Sequence, residues 1–595
     1  MMRDDDPPSP PISPLVWNGA DAPRSTFYDD IYFSADDGLA ESRAVFLDGC
    51  GLPQAWAARA RFTVAELGFG TGLNIVALVD LWRRTGPPGG HLNVFSVEAH
   101  PIAASDAVRA LARWPELADV AEAITTAWPG VARGFHRIDL PRFCATIDVA
   151  IMDALDGLRA WSGPADAWFL DGFAPARNPN MWTRELLAAV AARSAPGAHV
   201  ASFTVAGQVR RDLQAVGFSV ERVPGFGRKR HRLEARAPSQ SPGERAAPRV
   251  AIIGAGIAGA SLARAFAALG VRARVFDGAG PGSGASGGPA ALVAPRLDAG
   301  LGEHAALFAQ AFGRATALYD ATAGAVLDSG ADQRRVGAKD AGRFAAIAGC
   351  DLFEPGAMRL TPEGLRIDTA RVVEPGVVLD AWLGEVRRSR VEALAWSDGV
   401  WRLLDADGAV IDDADVVCLA AGMDCARLAA SLPLHPVRGQ ASLAVGATGS
   451  KAVLFGGYVI PTRAGVLFGA THDRDDTDVR PRAADHARNL EALVAAFPDL
   501  AADLASRPLQ AWTGIRATTR DYLPLAGAVP AAKPGLYVLG GLGSRGFTLA
   551  PLLAEHIVAR VLSTPSPLAR PLADLVDPER FERRARRRRA PGATA

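Results

Sequence analysis

Metal and disulfide chemistry have little to draw on in this chain. Five cysteines, Cys50, Cys144, Cys350, Cys418 and Cys425, are scattered through 595 residues with no CxxC pair and no Cys/His cluster. That argues against structural zinc, iron–sulfur clusters and a disulfide framework, and predicts a metal-free protein of the reducing cytoplasm. No run of about eighteen uncharged apolar residues occurs, so no membrane span is expected. The chain opens on acids and prolines rather than on a basic and then an apolar stretch, so no secretory leader is expected. Net charge is missing as well, since 64 basic residues balance 64 acidic ones. The balance is uneven along the chain: Arg228-Lys229-Arg230-His231-Arg232 and the run from Arg583 to Arg589 are densely basic. Such runs neutralise the phosphates of a polyanion and release its counter-ions, but more often they are solvated faces or frayed tails. The second run is read in that plainer way. No internal repeat is visible.

At this length two to four domains are expected. Residues 1–15, rich in Asp and Pro, bury too little apolar surface to order themselves and are read as a disordered start. In 16–235, short β-rich runs (Phe62–Leu67, Leu92–Val97, Val149–Met152, Ala167–Leu170, His199–Thr204) alternate with helical stretches at 73–84, 103–113 and 183–193. That alternation predicts an α/β domain with a parallel, helix-covered sheet. The Pro- and Ser-containing stretch 236–248 breaks all periodicity and reads as a linker. From 249 to 570 a compact βαβ start leads into a long mixed region, and nucleotide-type signals return at 511–549, as in a cofactor domain interrupted by a substrate domain. Residues 571–595 form a basic tail.

The first cofactor signal is Glu66-Leu67-Gly68-Phe69-Gly70-Thr71-Gly72 at the end of an apolar strand. Glycines there allow a tight turn and a close approach of backbone to ligand. Glu98 ends the next strand, where a carboxylate is placed to accept both hydroxyls of a ribose, and Asp153 ends a third, within reach of an adenine amino group. Three acidic strand ends beside a glycine turn without a phosphate-binding Lys favour S-adenosylmethionine over a nucleotide phosphate. The plain alternative is an ordinary βαβ turn with surface acids. Asp171, in Trp168-Phe169-Leu170-Asp171-Gly172-Phe173-Ala174-Pro175, falls where the following strand opens onto the crevice. A carboxylate there orients an amine and takes up its proton, leaving the lone pair aimed at a sulfonium methyl. A helix cap or turn acid is the alternative.

The second signal is Gly254-x-Gly256-x-x-Gly259, which follows a strand, opens an Ala-rich helix and is answered by Asp277 some twenty residues on. The helix amino terminus faces a pyrophosphate and Asp277 a ribose. Two further segments favour FAD over a nicotinamide cofactor: the loop Gly282–Gly288, with Ser286, and the distant second strand-turn-helix carrying Gly541, Gly543, Ser544 and Gly546. Arg516 and Arg545 are candidates to grip a substrate carboxylate, because the guanidinium fork matches it bidentately. Each is equally readable as one half of a structural ion pair.

Taken with Phe27–Ser34, Glu66–Asn74, Asp166–Trp182, Gly225–Arg230, Gly284–Gly287, Gly514–Pro524 and Gly541–Gly546, these motifs make nearly the whole chain resemble the bifunctional tRNA 5-methylaminomethyl-2-thiouridine biosynthesis (MnmC) family. The resemblance implies a class I S-adenosylmethionine-dependent methyltransferase fold followed by a FAD fold like that of D-amino-acid oxidase. It also implies a tRNA substrate modified at uridine 34 in the anticodon loop. The FAD half would remove the carboxymethyl group from 5-carboxymethylaminomethyl-2-thiouridine through an imine that hydrolyses to glyoxylate, and the other half would methylate the exposed amine. Asp171 matches the family's active-site aspartate, and Arg228, Lys229 and Arg230 gain phosphates to bind. Asp277 stands where FAD fingerprints commonly carry glutamate. A monomer is compatible with this reading. The competing reading is a small-molecule amine or amino-acid oxidase fused to an unrelated methyltransferase.

Overall fold

The structure, a computed structural model, describes residues 14–17, 22–34, 36–227, 229–239 and 247–589. Residues 1–13 of the expected disordered start, 240–246 of the expected linker and 590–595 of the tail lie outside the described residues. The chain forms two compact units, one of Met1–Val131 with Phe135–Glu244 and the other of Arg245–Ala595 with Ala132–Gly134. Among the described residues no helix is long and apolar enough to cross a membrane.

The first unit is built on one eight-stranded sheet: β1 (Arg61–Leu67), β2 (His91–Glu98), β3 (Gly134–Leu140), β4 (Ala145–Ile151), β5 (Ala165–Phe169), β6 (Ser194–Ser202), β7 (Ser219–Pro224) and β8 (His231–Arg236). The spatial order is β3-β4-β2-β1-β5-β6-β8-β7. The five strands β4, β2, β1, β5 and β6 run parallel, and β8 is antiparallel to β6 and β7. Nearly every residue of β1, β2, β4 and β5 is buried, so apolar side chains predominate on both faces and the polar ones among them, such as Thr63, Glu66, Asn93, Ser96, Asp148 and Asp166, are buried too. Strand order reverses about β1, so the carboxyl ends of β1 and β5 open a crevice at the topological switch point. Helix α1 (Leu73–Thr85) starts at Gly72 and buries Leu73, Ile75, Val76, Leu78, Val79 and Trp82. It stops at Gly86, where Pro87 bars further helix. A shorter helix, α2 (Ala154–Ala160), follows β4.

In the second unit β9 (Val250–Ile253), β10 (Arg274–Phe276), β11 (Val386–Arg387), β12 (Val416–Leu419), β15 (Leu525–Ala528) and β16 (Leu536–Gly540) form a sheet in the order β11-β10-β9-β12-β16-β15. All neighbours are parallel except β15 and β16. Helix α3 (Ile257–Ala268) leaves β9, and helix α4 (Gly546–Leu562) leaves β16, with apolar side chains buried along nearly its whole length. A ten-stranded mixed sheet contains the long antiparallel pair β13 (His435–Val445) and β14 (Leu509–Thr518). Its strands are inserted into the nucleotide-type sheet in two stretches, between β10 and β11 and between β12 and β15, so the cofactor domain is interrupted twice.

The carboxy terminus departs from the frayed tail expected. Residues Arg570–Val576 and Arg580–Arg589 are helices, α5 and α6. The cause is local. Arg580 is 3% exposed, donates through Nε and Nη2 to the two carboxylate oxygens of Asp521 at 3.0 and 3.0 Å, and through Nη2 to the Leu523 carbonyl at 2.8 Å. Phe581 packs against the apolar cluster beneath it.

On β13, Arg438 is fully buried. It donates to Asp485 at 2.5 Å, to Gln440 at 3.1 Å and to the carbonyls of Asp478 and Arg480 at 2.6 and 2.9 Å, so one guanidinium ties a helix and a loop to the sheet. Removing one partner of such a pair leaves an uncompensated buried charge. Asp485→Ala is expected to lower the unfolding free energy of the second unit by about 3–5 kcal/mol, read as a fall in the urea midpoint with an unchanged slope.

Candidate cofactor and substrate cavities

In the first unit a cavity of about 540 Å³ lies at the carboxyl ends of the parallel strands. Gly68, Gly70 and Gly72 all have positive φ, at 96°, 50° and 76°. A Cβ on Gly68 would stand 2.7 Å from the Asp171 carbonyl oxygen, so the turn after β1 presses against the chain leaving β5. The backbone amides of Gly70 and His100 donate to the two oxygens of Glu98, at 2.9 and 2.8 Å, fixing that carboxylate at the cavity wall. Asp153 also lines the cavity and caps α2 by accepting from the Leu155 amide at 2.9 Å. The bare glycine turn and the carboxylates at neighbouring strand ends fit the adenosine and sulfonium parts of S-adenosylmethionine.

Glu66 is placed differently from the expectation. It is 1% exposed and does not line the cavity, because its side chain turns under the glycine loop toward α1. There it accepts from Ser96 Oγ at 3.1 Å and from Asn74 Nδ2 at 3.0 Å. The same Asn74 nitrogen donates to Asp171 Oδ2 at 2.6 Å, while Ser42 Oγ donates to Asn74 Oδ1 at 2.6 Å. The Ser42 hydroxyl can donate or accept, so it is the two acids that turn the amide's NH2 toward themselves, and both Asn74 protons go to carboxylates. Asn74 is the residue the sequence reading missed. Its only signal was its place two residues into the helix after the glycine turn.

Burial pushes the Asp171 carboxyl up to about 7; the Asn74 bond and Lys229 pull it down, and Glu41 pushes it further up. Burial likewise raises Glu66, with the Asp171 charge adding to it. Around Asp171 stand Tyr28 and Tyr32, each against Phe173 at centroid distances of 5.0 and 5.3 Å, and Met181 packs on Gly172. Lys229 lines the rim, 2.8 Å from Glu41 and 4.5 Å from the Phe203 ring centroid. Arg230 is exposed beside it, and Arg228 lies outside the described residues. Among the described residues that line this cavity are six carboxylates, Asp30, Asp36, Glu41, Glu98, Asp153 and Asp171, against one lysine.

The second unit holds a cavity of about 830 Å³ lined by Gly254, Gly256, Asp277, Ser286, Gly541, Gly543, Ser544 and Gly546. A Cβ on Gly254, at φ 111°, would meet the Ala420 carbonyl at 2.4 Å. Gly259 does not line the space; its missing Cβ lets α3 lie against Gly254, whose carbonyl would be 1.9 Å away. Asp277 accepts from the amides of Ala255, Ala279 and Gly280 at 2.8, 3.0 and 2.8 Å. Ser286 Oγ accepts from the Ile257 amide at 3.0 Å, at the first turn of α3. Gly546 brings the start of α4 against Ile257 at the start of α3. Two helix amino termini with bare amides therefore border one long cavity, a cradle that fits the pyrophosphate and ring system of FAD.

Arg516 and Arg545 line the same cavity. Arg516 lies flat over Gly439, where a Cβ would be 2.2 Å from Nη2, and donates to the Thr471 carbonyl at 3.2 Å. Arg545 donates to the Ala294 and Pro295 carbonyls at 3.3 and 3.4 Å. Among the described residues neither has a carboxylate at ion-pair distance, so the structural ion pair is not what holds them. Burial lowers the pKa of both, that of Arg545 to about 10 with the charge of Arg296 adding to the effect. A buried cation without its counter-ion suits an anionic ligand.

Residues 115–238 match a family model described as S-adenosyl-L-methionine-dependent methyltransferase, and residues 249–560 one described as FAD dependent oxidoreductase. Those are the cofactors of the two units. The tRNA 5-methylaminomethyl-2-thiouridine biosynthesis bifunctional protein MnmC of Caulobacter sp. (strain K31) is 57% identical, over 97% of this chain and 98% of its own length. The protein of the same name from Maricaulis maris (strain MCS10) is 40% identical over 97% and 98%. Among solved structures, glycine oxidase from Geobacillus kaustophilus covers 53% of this chain and 95% of its own, with 21% identity and a TM-score of 0.45. With its two cavities fused in one polypeptide and identity to such relatives running nearly end to end, the chain belongs to the family of tRNA 5-methylaminomethyl-2-thiouridine biosynthesis bifunctional proteins.

Proposed function

We propose that this protein modifies uridine 34 of tRNA in the cytoplasm in two steps. The second unit removes the carboxymethyl group of 5-carboxymethylaminomethyl-2-thiouridine, and the first unit N-methylates the amine so exposed. The observation that carries this reading is the pair of cavity-lining guanidiniums, Arg516 and Arg545, with no carboxylate partner among the described residues. Bound FAD is a two-electron acceptor and bound S-adenosylmethionine an electrophilic methyl donor.

The chain's own residues do the rest. Gly254, Gly256, Asp277, Ser286, Gly541, Gly543, Ser544 and Gly546 hold the flavin cofactor, with Gly259 seating the helix behind it. Arg516 and Arg545 take the substrate carboxylate and thereby set the glycine-like CH2 in place. In the other unit Gly68, Gly70, Gly72, Glu98 and Asp153 hold the methyl donor. Asp171 accepts a hydrogen bond from the substrate ammonium and takes its proton, a task suited to a carboxyl poised near 7. Glu66 acts through Asn74, which leaves Asp171 Oδ1 as the oxygen facing the substrate. Lys229 and Arg230 bind phosphates beside this cavity, and Arg228 adds a third basic residue to the same run of sequence. A base in an anticodon loop is already single-stranded and enters either cavity without opening a duplex.

Purified protein is expected to be yellow, and its flavin to be bleached anaerobically by tRNA carrying the carboxymethylaminomethyl base. Bleaching by free glycine or sarcosine at the same rate would replace this reading with that of a small-molecule amine oxidase. Replacing Arg516 or Arg545 by Ala should cut kcat/KM for flavin reduction by about 10–100-fold, the worth of one charge-assisted hydrogen bond or slightly more. Methylation of aminomethyl tRNA by the same variants should be unchanged.

Asp171→Asn should abolish methyl transfer and spare flavin reduction. Asp171 is protonated below its pKa, so methyl transfer should fall as pH drops through about 7. In Asn74→Ala the bond that lowers this pKa is gone, and the acidic limb should move up by roughly one pH unit. At pH 7 that is a loss of about fivefold in kcat. An unshifted limb in a folded, donor-binding Asn74→Ala would remove Asn74 from this role.

A further inference from the structure

The basic run that closes the chain has no part in either cavity, yet it is folded and anchored. Helix α6 carries seven arginines and one glutamate, a formal charge of six positive. Residues 249–579 contain 32 basic and 35 acidic side chains, so this single helix turns the flavin unit from three negative to three positive. Its first turn is the anchor. Arg580 and Arg584 both reach Asp521, whose carboxyl they hold well below the usual range against the opposing effect of burial.

Asp521 sits in the turn that follows β14, the strand that brings Thr513 through Ala517 to the flavin cavity. Thr519 Oγ1 of that turn lies 2.9 Å from Asp521 Oδ1 and 2.6 Å from the Leu523 carbonyl, two acceptors for its one proton, and its methyl would be 3.0 Å from a Cβ on Gly541. The arginine helix is thus tied, through one turn, to the glycine loop of the cavity.

Beyond the anchor the charges are poorly matched. Arg583 reaches Asp577 and Glu579 only at 3.7 and 3.9 Å. Arg586 is 75% exposed and paired with Glu582, and Arg587 is exposed. Arg583 and Arg587 stand four residues apart on the helix, and like charges at that spacing work against a helix. A surface that concentrates excess positive charge on an otherwise negative unit is complementary to a polyanion, which would relieve the repulsion and release its own counter-ions.

We propose that α6 is a phosphate-binding surface through which the flavin unit holds its tRNA, with Arg583, Arg586 and Arg587 contacting the backbone and Arg580 and Arg584 fixing the helix to the Asp521 turn. This rests on the reading of the second unit as a tRNA-dependent oxidoreductase.

The test uses the full-length, FAD-loaded protein with Arg583, Arg586 and Arg587 each changed to Gln, which keeps helix propensity. Flavin bleaching is followed with carboxymethylaminomethyl tRNA and, separately, with the free modified nucleoside. The expected result is a KM for tRNA raised at least about tenfold near 150 mM salt, with kcat within about twofold. The log–log salt slope of tRNA binding should fall by about 2–3, at roughly 0.7–0.9 for each phosphate no longer neutralised. The same three positions changed to Lys should keep the wild-type KM within a few-fold, since a point charge still meets a phosphate. An unchanged KM and salt slope in a variant with an intact flavin spectrum and melting temperature would overturn the proposal. So would loss of binding to anionic vesicles with no change toward tRNA. Failure of the wild-type flavin to respond to tRNA at all would instead overturn the functional reading beneath it.

Discussion

In both units a strand end and a neighbouring glycine approach more closely than a side chain allows. The chain leaving β5 brings the Asp171 carbonyl to within 2.7 Å of where a Gly68 Cβ would be, and the chain leaving β12 brings the Ala420 carbonyl to within 2.4 Å of the same point on Gly254. Each glycine also has a strongly positive φ, a conformation that costs other residues energy. Parallel pairing dictates the approach: β1 pairs with β5 and β9 with β12, so their carboxyl ends lie side by side where the chain must turn. A methyl group at either position would push the strand ends apart. With them would move everything the turn supports, the start of the helix, the bare amides and, in the first unit, Asp171 itself.

What distinguishes the two cavities is the sign of the charge left unneutralised. In the first, Glu66 and Asp171 share one amide nitrogen, and burial holds both carboxyls above their ordinary range. In the second, burial depresses two guanidiniums that have only carbonyls to donate to. Each arrangement is costly in the absence of ligand and is relieved by one, an ammonium in the first case and a carboxylate in the second. Function and local instability have the same origin here.

Much of this was legible in the sequence, and the exceptions share a cause. The strands β1, β2, β4 and β5 are rich in apolar residues, and both glycine turns follow directly from such a strand, so cofactor type and approximate site were readable. Strand β3, Gly-Phe-His-Arg-Ile-Asp-Leu, lies at the sheet edge and mixes polar with apolar residues, which hides it. Asn74 was unreadable as a functional residue because its partners Ser42 and Asp171 are 32 and 97 residues away. Glu66 and Gly259 were assigned to cofactor binding by their position in a motif, and the fold turns each one away from the cavity it helps to shape. The docking of α6 depends on Asp521, 59 residues upstream of Arg580, so a run that looks like a tail becomes a helix through a contact that local pattern cannot show.

Under the proposed function, the opposed cavity charges also set the order of reaction. A carboxymethylaminomethyl uridine is a zwitterion whose carboxylate meets Arg516 and Arg545 in the flavin cavity, but would face the six lining carboxylates in the other. Like charges in a partly desolvated space repel more strongly than in water, so the unprocessed base is disfavoured beside Asp171. Once the carboxymethyl group is gone, the base carries a bare ammonium. That product has lost the group the arginines hold and is repelled by them, while the acidic cavity now attracts it. Release from one site and acceptance by the other therefore follow from the same change of charge on the substrate, and neither step needs a separate device to prevent methylation of the unprocessed base.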